Sequence, residues 1–291
     1  RDAGVPAGVV NLVLGSGRVV GEALIRHPLV RGVSFTGSTG TGLAINAEAG
    51  RRLVRTQLEL GGKNPAVILD YADATAVAKQ IVSAAFACSG QRCTALSRVV
   101  VLREHARAIT DALEAEMAAI KVGPAWQADA TMGPLITAAH KASVMAHIDK
   151  AKSDGVTLAL GGMAIDEGDF GKGCFVAPTL FTGVGTNTSL ARDEVFGPVL
   201  AVIPVGSVDE AIAVSNSVDY GLAASVYTQD VNLSLRFARE SQSGMVHVNH
   251  GTASEAHMPF GGVKASGFGA YSIGHSNQEF LTTVKAVYFQ S

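Results

Sequence analysis

Gly32-Val33-Ser34-Phe35-Thr36-Gly37-Ser38-Thr39-Gly40-Thr41-Gly42 is the stretch whose reading decides the fold. Residues 32–36 carry branched and aromatic side chains and predict a strand; the glycines and hydroxyls after them open a helix. Two readings fit residues 37–42. Glycines after a strand let a phosphate approach backbone amides at a helix N-terminus, with Gly37 leaving room and the Ser38 hydroxyl adding a donor. A tight strand-to-helix turn asks for the same residues.

Working outward, Val9-Val10-Asn11-Leu12-Val13-Leu14 is an apolar run that ends at Gly15-Ser16-Gly17 and is expected as an earlier strand. Residues 18–27 have helical spacing, and residues 55–60 form a further strand. Strands buried on both faces, with helices between them, describe a parallel sheet in a nucleotide-binding style of fold, so the fold class is α/β. The last strand delivers Glu59 just before Gly61-Gly62-Lys63-Asn64-Pro65. A carboxylate at an apolar strand end is either a solvated charge or a partly desolvated general base.

The second decisive loop is Gly90-Gln91-Arg92-Cys93-Thr94. Residues 74–88, rich in Ala and Val, predict a buried helix stopped by Ser89-Gly90, and residues 98–102 predict a strand. Cys93 thus sits at a junction between ordered elements. A lone cysteine can be a small packing residue, the reading given to Cys88 and Cys174. Beside Gln91, Arg92 and Thr94, Cys93 can instead be a nucleophile, with the neighbouring cation favouring its thiolate.

At 291 residues, the chain predicts more than one lobe. A hydrophobic fraction of 47% with 16% charged residues predicts a large core. The net charge of −2 gives no electrostatic reason to expect nucleic acid or a membrane surface, and no apolar run is long enough to span a bilayer. Three cysteines fit a reducing, cytoplasmic setting without a disulfide framework. The eight histidines show no metal-ligand spacing, and His247, His250 and His257 are read as structural.

Phe35-Thr36-Gly37-Ser38, Leu58-Glu59-Leu60-Gly61-Gly62-Lys63, Gly90-Gln91-Arg92-Cys93, Glu194-Val195-Phe196-Gly197-Pro198 and Pro259-Phe260-Gly261-Gly262 occur in an order that resembles the aldehyde dehydrogenase superfamily across essentially the whole chain. The resemblance implies Cys93 as nucleophile and Glu59 as general base. It implies a cofactor, NAD or NADP, held by Gly37, Ser38, Leu60 and Gly61, with Glu194 on the nicotinamide ribose and Phe196 beside it. The implied chemistry is attack of Cys93 on an aldehyde, hydride loss from the thiohemiacetal, and hydrolysis of the thioester by water that Glu59 activates. Phe260 is a candidate substrate wall, or a core aromatic that anchors its loop.

The resemblance also implies that an asparagine of the oxyanion hole, the residues choosing NAD over NADP and the first cofactor-domain strands lie upstream of Arg1. The chain is therefore expected to be the C-terminal portion of a longer enzyme. A truncated chain with a structural or assembly role, or a coenzyme A-acylating enzyme, are the alternatives; Glu59 argues against the latter. Expected domains are residues 1–60, the end of a Rossmann-like cofactor domain; 61–265, an α/β catalytic domain; and 266–291, a C-terminal segment. Residues 281–289 are expected as an edge strand that joins subunits into a homodimer or homotetramer.

Between these motifs, helices are expected over residues 104–120, 137–153, 208–215 and 233–240, and strands over 156–160, 175–181, 199–205, 223–227 and 245–249. Residues 161–173 and 250–269 read as loops. The substrate is expected to be an acidic semialdehyde, because the Arg92 guanidinium matches a carboxylate bidentately. The competing reading has Arg92 hold its loop through backbone carbonyls.

Overall fold

A computed structural model describes residues 2–290. A short π-helical turn (Gly17–Gly21) leads into helix α1 (Glu22–Arg26), strand β1 (Gly32–Thr36), helix α2 (Thr39–Gly50) and strand β2 (Arg55–Glu59). Strand β3 (Asn64–Ile68), helix α3 (Ala74–Phe86), strand β4 (Leu96–Leu102) and helix α4 (Arg103–Ala118) follow. Then come α5 (Ala138–Ser153), β5 (Thr157–Leu160), β6 (Ala164–Ile165), β7 (Phe175–Val176), β8 (Thr179–Thr182), α6 (Ser189–Arg192), β9 (Val199–Val205) and α7 (Val208–Asn216). The last part holds β10 (Tyr220–Gly221), β11 (Ala223–Tyr227), α8 (Val231–Glu240), β12 (Met245–Val248), β13 (Val263–Lys264), β14 (Gly267–Phe268) and α9 (Asn277–Leu281).

The larger sheet has seven strands in the order β12-β11-β3-β4-β9-β8-β5, parallel except for the edge strand β5. Alternate residues of one strand leave on opposite faces, and this sheet buries both. Val67, Val100 and Ile203 pack into the core against Val144 and Ile148 of α5 and Phe237 of α8. Ala66, Ile68, Val99, Val101 and Val202 enter the other core, against Ile81 of α3 and Ile109 and Leu113 of α4. The result is three layers, helix on sheet on helix. Side-chain caps start the helices: Asp73 Oδ1 accepts from Thr75 N at 2.8 Å, and Thr137 Oγ1 from His140 N at 3.1 Å, each such cap stabilising by about 1 kcal/mol.

The smaller sheet has the order β1-β2-β14, with β1 and β2 parallel and β14 antiparallel. Its core is limited to Ile45, Leu58 and Leu60, with Ile25, Val33 and Phe35 partly buried around them. Among the described residues, no helix is long and apolar enough to cross a membrane.

The structure corrects the sequence reading at several places. Residues 9–14 form no strand: Val9, Val10, Leu12, Val13 and Leu14 are exposed, and among the described residues β1 pairs only with β2. An apolar run without a neighbouring ladder leaves its backbone groups unpaired, which disfavours the strand. Residues 282–290 likewise lack regular structure; Val284, Val287, Tyr288 and Phe289 are exposed, and the expected edge strand has no partner strand in this single chain. The expected loop at 161–173 carries the β6 strand and a 3-10 turn (Gly168–Lys172). Pro178 falls between β7 and β8, where one continuous strand was expected. The sequence reading has no strand at β3, because Gly61, Gly62 and Pro65 punctuate it; the proline is tolerated there because the pairing with β4 shifts register between Asn64 and Pro65. Cys88 is exposed rather than buried.

Candidate active site

Glu59 ends β2 and is fixed from both sides. Gly37 N–H donates to the Glu59 carbonyl at 3.0 Å, and Leu60 N–H to the Ser266 carbonyl at 2.8 Å. The residue is 5% exposed, and its Oε2 has no hydrogen-bond partner among the described residues. Burial raises the carboxyl pKa to about 7, with hydrogen bonding from Ser272 offsetting part of the shift. A carboxyl that titrates at neutral pH can take a proton from water, as a general base must.

The link from β2 to β3 passes between two other groups, and its two glycines make the passage possible. A Cβ on Gly61 would lie 2.3 Å from Glu194 Oε2, and one on Gly62 would lie 2.5 Å from the Cys93 carbonyl oxygen. Gly62 N–H donates to Glu194 Oε1 at 2.9 Å. Asn64 Nδ2 donates to the carbonyls of Cys93 at 2.7 Å and Ala95 at 2.9 Å, while its Oδ1 accepts from Ala223 N at 3.0 Å. This short link brings Glu59, Glu194 and the Cys93 backbone together.

The loop of Cys93 is strained. Helix α3 stops at Phe86, two residues earlier than the sequence suggests, and Cys88, Ser89 and Gly90 follow with φ of 54°, 60° and 71°. Left-handed backbone costs a non-glycine residue about 1–2 kcal/mol. Gly90 has a second constraint, since a Cβ there would lie 2.2 Å from the Gly197 carbonyl oxygen. Burial raises the Cys93 thiol pKa, and the charges of Glu59 and Glu194 raise it further. The expected help from Arg92 is therefore absent: its Nη2 donates to the Ala84 carbonyl at 2.9 Å, at the negative C-terminal end of α3. That contact matches the reading in which Arg92 holds its loop through a backbone carbonyl. Thr252 Oγ1 secures the far side of the loop, donating to the Thr94 carbonyl at 2.6 Å.

Glu194 is partly buried, which raises its pKa, while the Gly62 N–H and the charge of Lys63 lower it. Phe196 has φ of 52°, its ring is 38% exposed, and its carbonyl bonds to His140 Nε2 at 2.7 Å. At the same end of the small sheet, where Thr36 of β1 pairs with Glu59 of β2, Ser38 caps α2, accepting from Thr41 N at 3.3 Å. A Cβ on Gly40 would meet nothing within 4 Å, so the N-terminus of this twelve-residue helix faces open space. The α2 N-terminus and the exposed Ser38 hydroxyl can donate to phosphate, the Glu194 carboxylate can accept from a ribose hydroxyl and the exposed Phe196 ring offers an apolar face, a set that fits a dinucleotide. Leu60 packs against Gly42 of α2. Phe260 lines a cleft of about 520 Å³ with Met245, His247, His250 and Tyr271, and its carbonyl accepts from Ser272 N at 2.8 Å. The rings of His247 and His250 stack there, 6.0 Å apart.

The family model described as aldehyde dehydrogenase family matches residues 1–287. The chain belongs to the aldehyde dehydrogenase family. It is 38% identical over 289 residues to alpha-ketoglutaric semialdehyde dehydrogenase of Bacillus subtilis, covering 99% of this chain and 59% of that protein. It is 42% identical over 269 residues to aminoacetaldehyde dehydrogenase of Pseudomonas aeruginosa, covering 92% of this chain and 53% of that one. Among solved structures, NAD-dependent aldehyde dehydrogenase from Sinorhizobium meliloti superposes with a TM-score of 0.91 at 33% identity, over 96% of this chain and 55% of that chain. Betaine aldehyde dehydrogenase from Staphylococcus aureus, in complex with NAD+, gives 0.91 at 36%, over the same shares. The chain spans about half the length of the aldehyde dehydrogenases it matches.

Several residues of this family member escaped the sequence reading. Asn64, two residues after Gly62, is given no role in the sequence reading, and its side chain is the clamp on the Cys93 and Ala95 carbonyls. Arg98, only 1% exposed, donates to the carbonyls of Lys63, Val214 and Ser215 at 3.0 Å each, and burial lowers its pKa to about 9. Lys63 is 2% exposed, and burial, with Arg98 nearby, lowers its pKa to about 7. Nothing local in the sequence marks either cation as buried.

Proposed function

We propose that this chain carries the nucleophile and general base of an NAD(P)-dependent aldehyde dehydrogenase that converts an aldehyde to a carboxylic acid. The convergence of Cys93, Glu59 and Glu194 around the two-glycine link carries this reading. As a thiolate, Cys93 attacks the aldehyde carbon, forming a C–S bond and a thiohemiacetal. A nicotinamide cofactor, when bound, supplies the hydride acceptor that turns this adduct into a thioester. Glu59 takes a proton from water, the resulting hydroxide attacks the thioester carbon, and the C–S bond breaks to release the acid and the Cys93 thiolate. The raised pKa of Glu59 suits it to accept that proton near neutrality. Glu194 serves the nicotinamide ribose, Phe196 packs beside it, and Gly37, Ser38, Leu60 and Gly61 support the rest of the cofactor. Phe260 forms one wall of the aldehyde cleft.

The acidic-semialdehyde reading draws its support from the Bacillus relative's name, since the Arg92 guanidinium directs Nη2 to the Ala84 carbonyl. The Pseudomonas relative points to an amino aldehyde instead. The exposed tail around Val284 and Phe289 suits addition to a second subunit as a strand, hence a homodimer or homotetramer. The test is burst kinetics with acidic, amino and neutral aldehydes in the protein that carries this chain. Cys93→Ala should abolish both the burst and turnover, whereas Glu59→Gln should keep one burst of NADH and lose steady turnover. Steady oxidation by Cys93→Ala would refute the assignment.

A further inference from the structure

The loop of Cys93 is held by a side chain that none of the chemical steps uses. Gln91 Oε1 accepts the Ile136 N–H at 2.9 Å, and Nε2 donates to the carbonyls of Cys88 at 3.1 Å and Pro134 at 3.4 Å. Each end of the amide meets groups of the complementary kind, which fixes its orientation. Ser89 Oγ joins the same segment, donating to the Gly133 carbonyl at 2.8 Å. Residues 133–136 make a firm platform. Leu135 is buried in the main core, its N–H is held by the Cys174 carbonyl at 2.8 Å, and Thr137 next to it caps α5.

The position of these bonds matters because of what they restrain. Cys88, Ser89 and Gly90 form an unbroken left-handed run, two of whose members carry side chains. Such backbone persists only where its surroundings over-determine it. Gln91 closes the run, bonding back to its first carbonyl and across to the platform, two residues before the sulfur.

We propose that Gln91 is a positioning residue for the nucleophile: its side-chain amide bolts residues 88–93 to the platform at 133–136 and so fixes the Cys93 sulfur between Glu59 and Glu194. The functional meaning rests on Cys93 being the nucleophile; the restraint itself does not.

The test is alkylation of the chain's cysteines by iodoacetamide, followed peptide by peptide with mass spectrometry from about pH 6 to about pH 10. It compares the wild-type chain with Gln91→Met, which removes donor and acceptor, and Gln91→Glu, which turns a carboxylate toward two carbonyls. Freed from Glu59 and Glu194, Cys93 should react about five-fold faster or more near neutral pH in both variants, with its midpoint moved down toward an ordinary thiol. Cys174, which holds the platform, should change by less than about two-fold. If Gln91→Met fails to fold, Gln91→Glu and Ser89→Ala carry the same criteria. An unchanged Cys93 profile would overturn the proposal, and so would equal shifts at Cys93 and Cys174. Failure of Cys93 to be acylated by aldehyde with NAD+ as hydride acceptor, in the protein that carries this chain, would instead refute its role as nucleophile and leave the alkylation result standing.

Discussion

In β4, Val99, Val100 and Val101 are fully buried, whereas in β1 Gly32, Ser34 and Thr36 are exposed and Val33 and Phe35 only half-buried. Both strands lie in parallel ladders, β4 with a run of three valines and β1 with Val33 and Phe35 alternating with Gly32, Ser34 and Thr36. They differ in what covers them: β4 lies at the centre of seven strands between two helical layers, and β1 lies at the edge of three. Neighbours decide how much of a strand is buried and so how much it contributes. The candidate site sits where the two sheets meet, with Glu59 from the smaller and Cys93 from a loop of the larger. The precision of the pair therefore depends on both.

Core substitutions should separate the two regions most sharply. Ile203→Ala, on a central strand, should cost about 2–5 kcal/mol in denaturant unfolding. Val33→Ala should cost less than about 1 kcal/mol, because its side chain is already half in water. Equal losses would mean that both sheets contribute alike.

Glu59→Gln should raise stability in a pH-dependent way. The carboxyl pKa rises from 4.5 to about 7 on folding, so the folded state holds its proton more tightly. Wild-type stability is therefore full below about pH 4.5 and is lost as pH rises through 7, a total of at most about 3 kcal/mol. Thermal melts should show the variant ahead at pH 8 and level with wild type at pH 4. An advantage independent of pH would contradict the buried-carboxyl argument.

Legibility in the sequence followed the same division. Strands such as β9 and β11 were readable to the residue, because continuous apolar runs bounded by turn residues leave little choice. Glu59, Glu194 and the Cys93 backbone, far apart in the chain, meet around Gly61 and Gly62. What was not readable were contacts made at a distance in the chain: the Asn64 clamp on Cys93 and Ala95, and the burial of Lys63 and Arg98. The run at 9–14 failed for a related reason, since an apolar pattern does not carry its partner strand with it, and residues 282–290 find no strand partner within the single chain.

Arg92→Met sharpens the comparison within the site. Because the guanidinium caps α3, the variant should lose about ten-fold in kcat/KM on acidic and neutral aldehydes alike. A loss confined to the acidic substrate would restore the substrate-reading role. Ser38→Ala is expected to be mildest, about 1 kcal/mol of stability from the lost cap of α2.

The convergence of the two sheets on one site is tested most directly by titrating Cys93 itself. Alkylation of Cys93 against pH, in wild type and in Glu59→Gln, reads the charge of one sheet at the sulfur held by the other. The wild-type midpoint should lie above that of an ordinary thiol, and Glu59→Gln should lower it part of the way, leaving the contribution of burial and of Glu194. A midpoint that does not move when Glu59 loses its charge would place the two groups too far apart to act on one substrate.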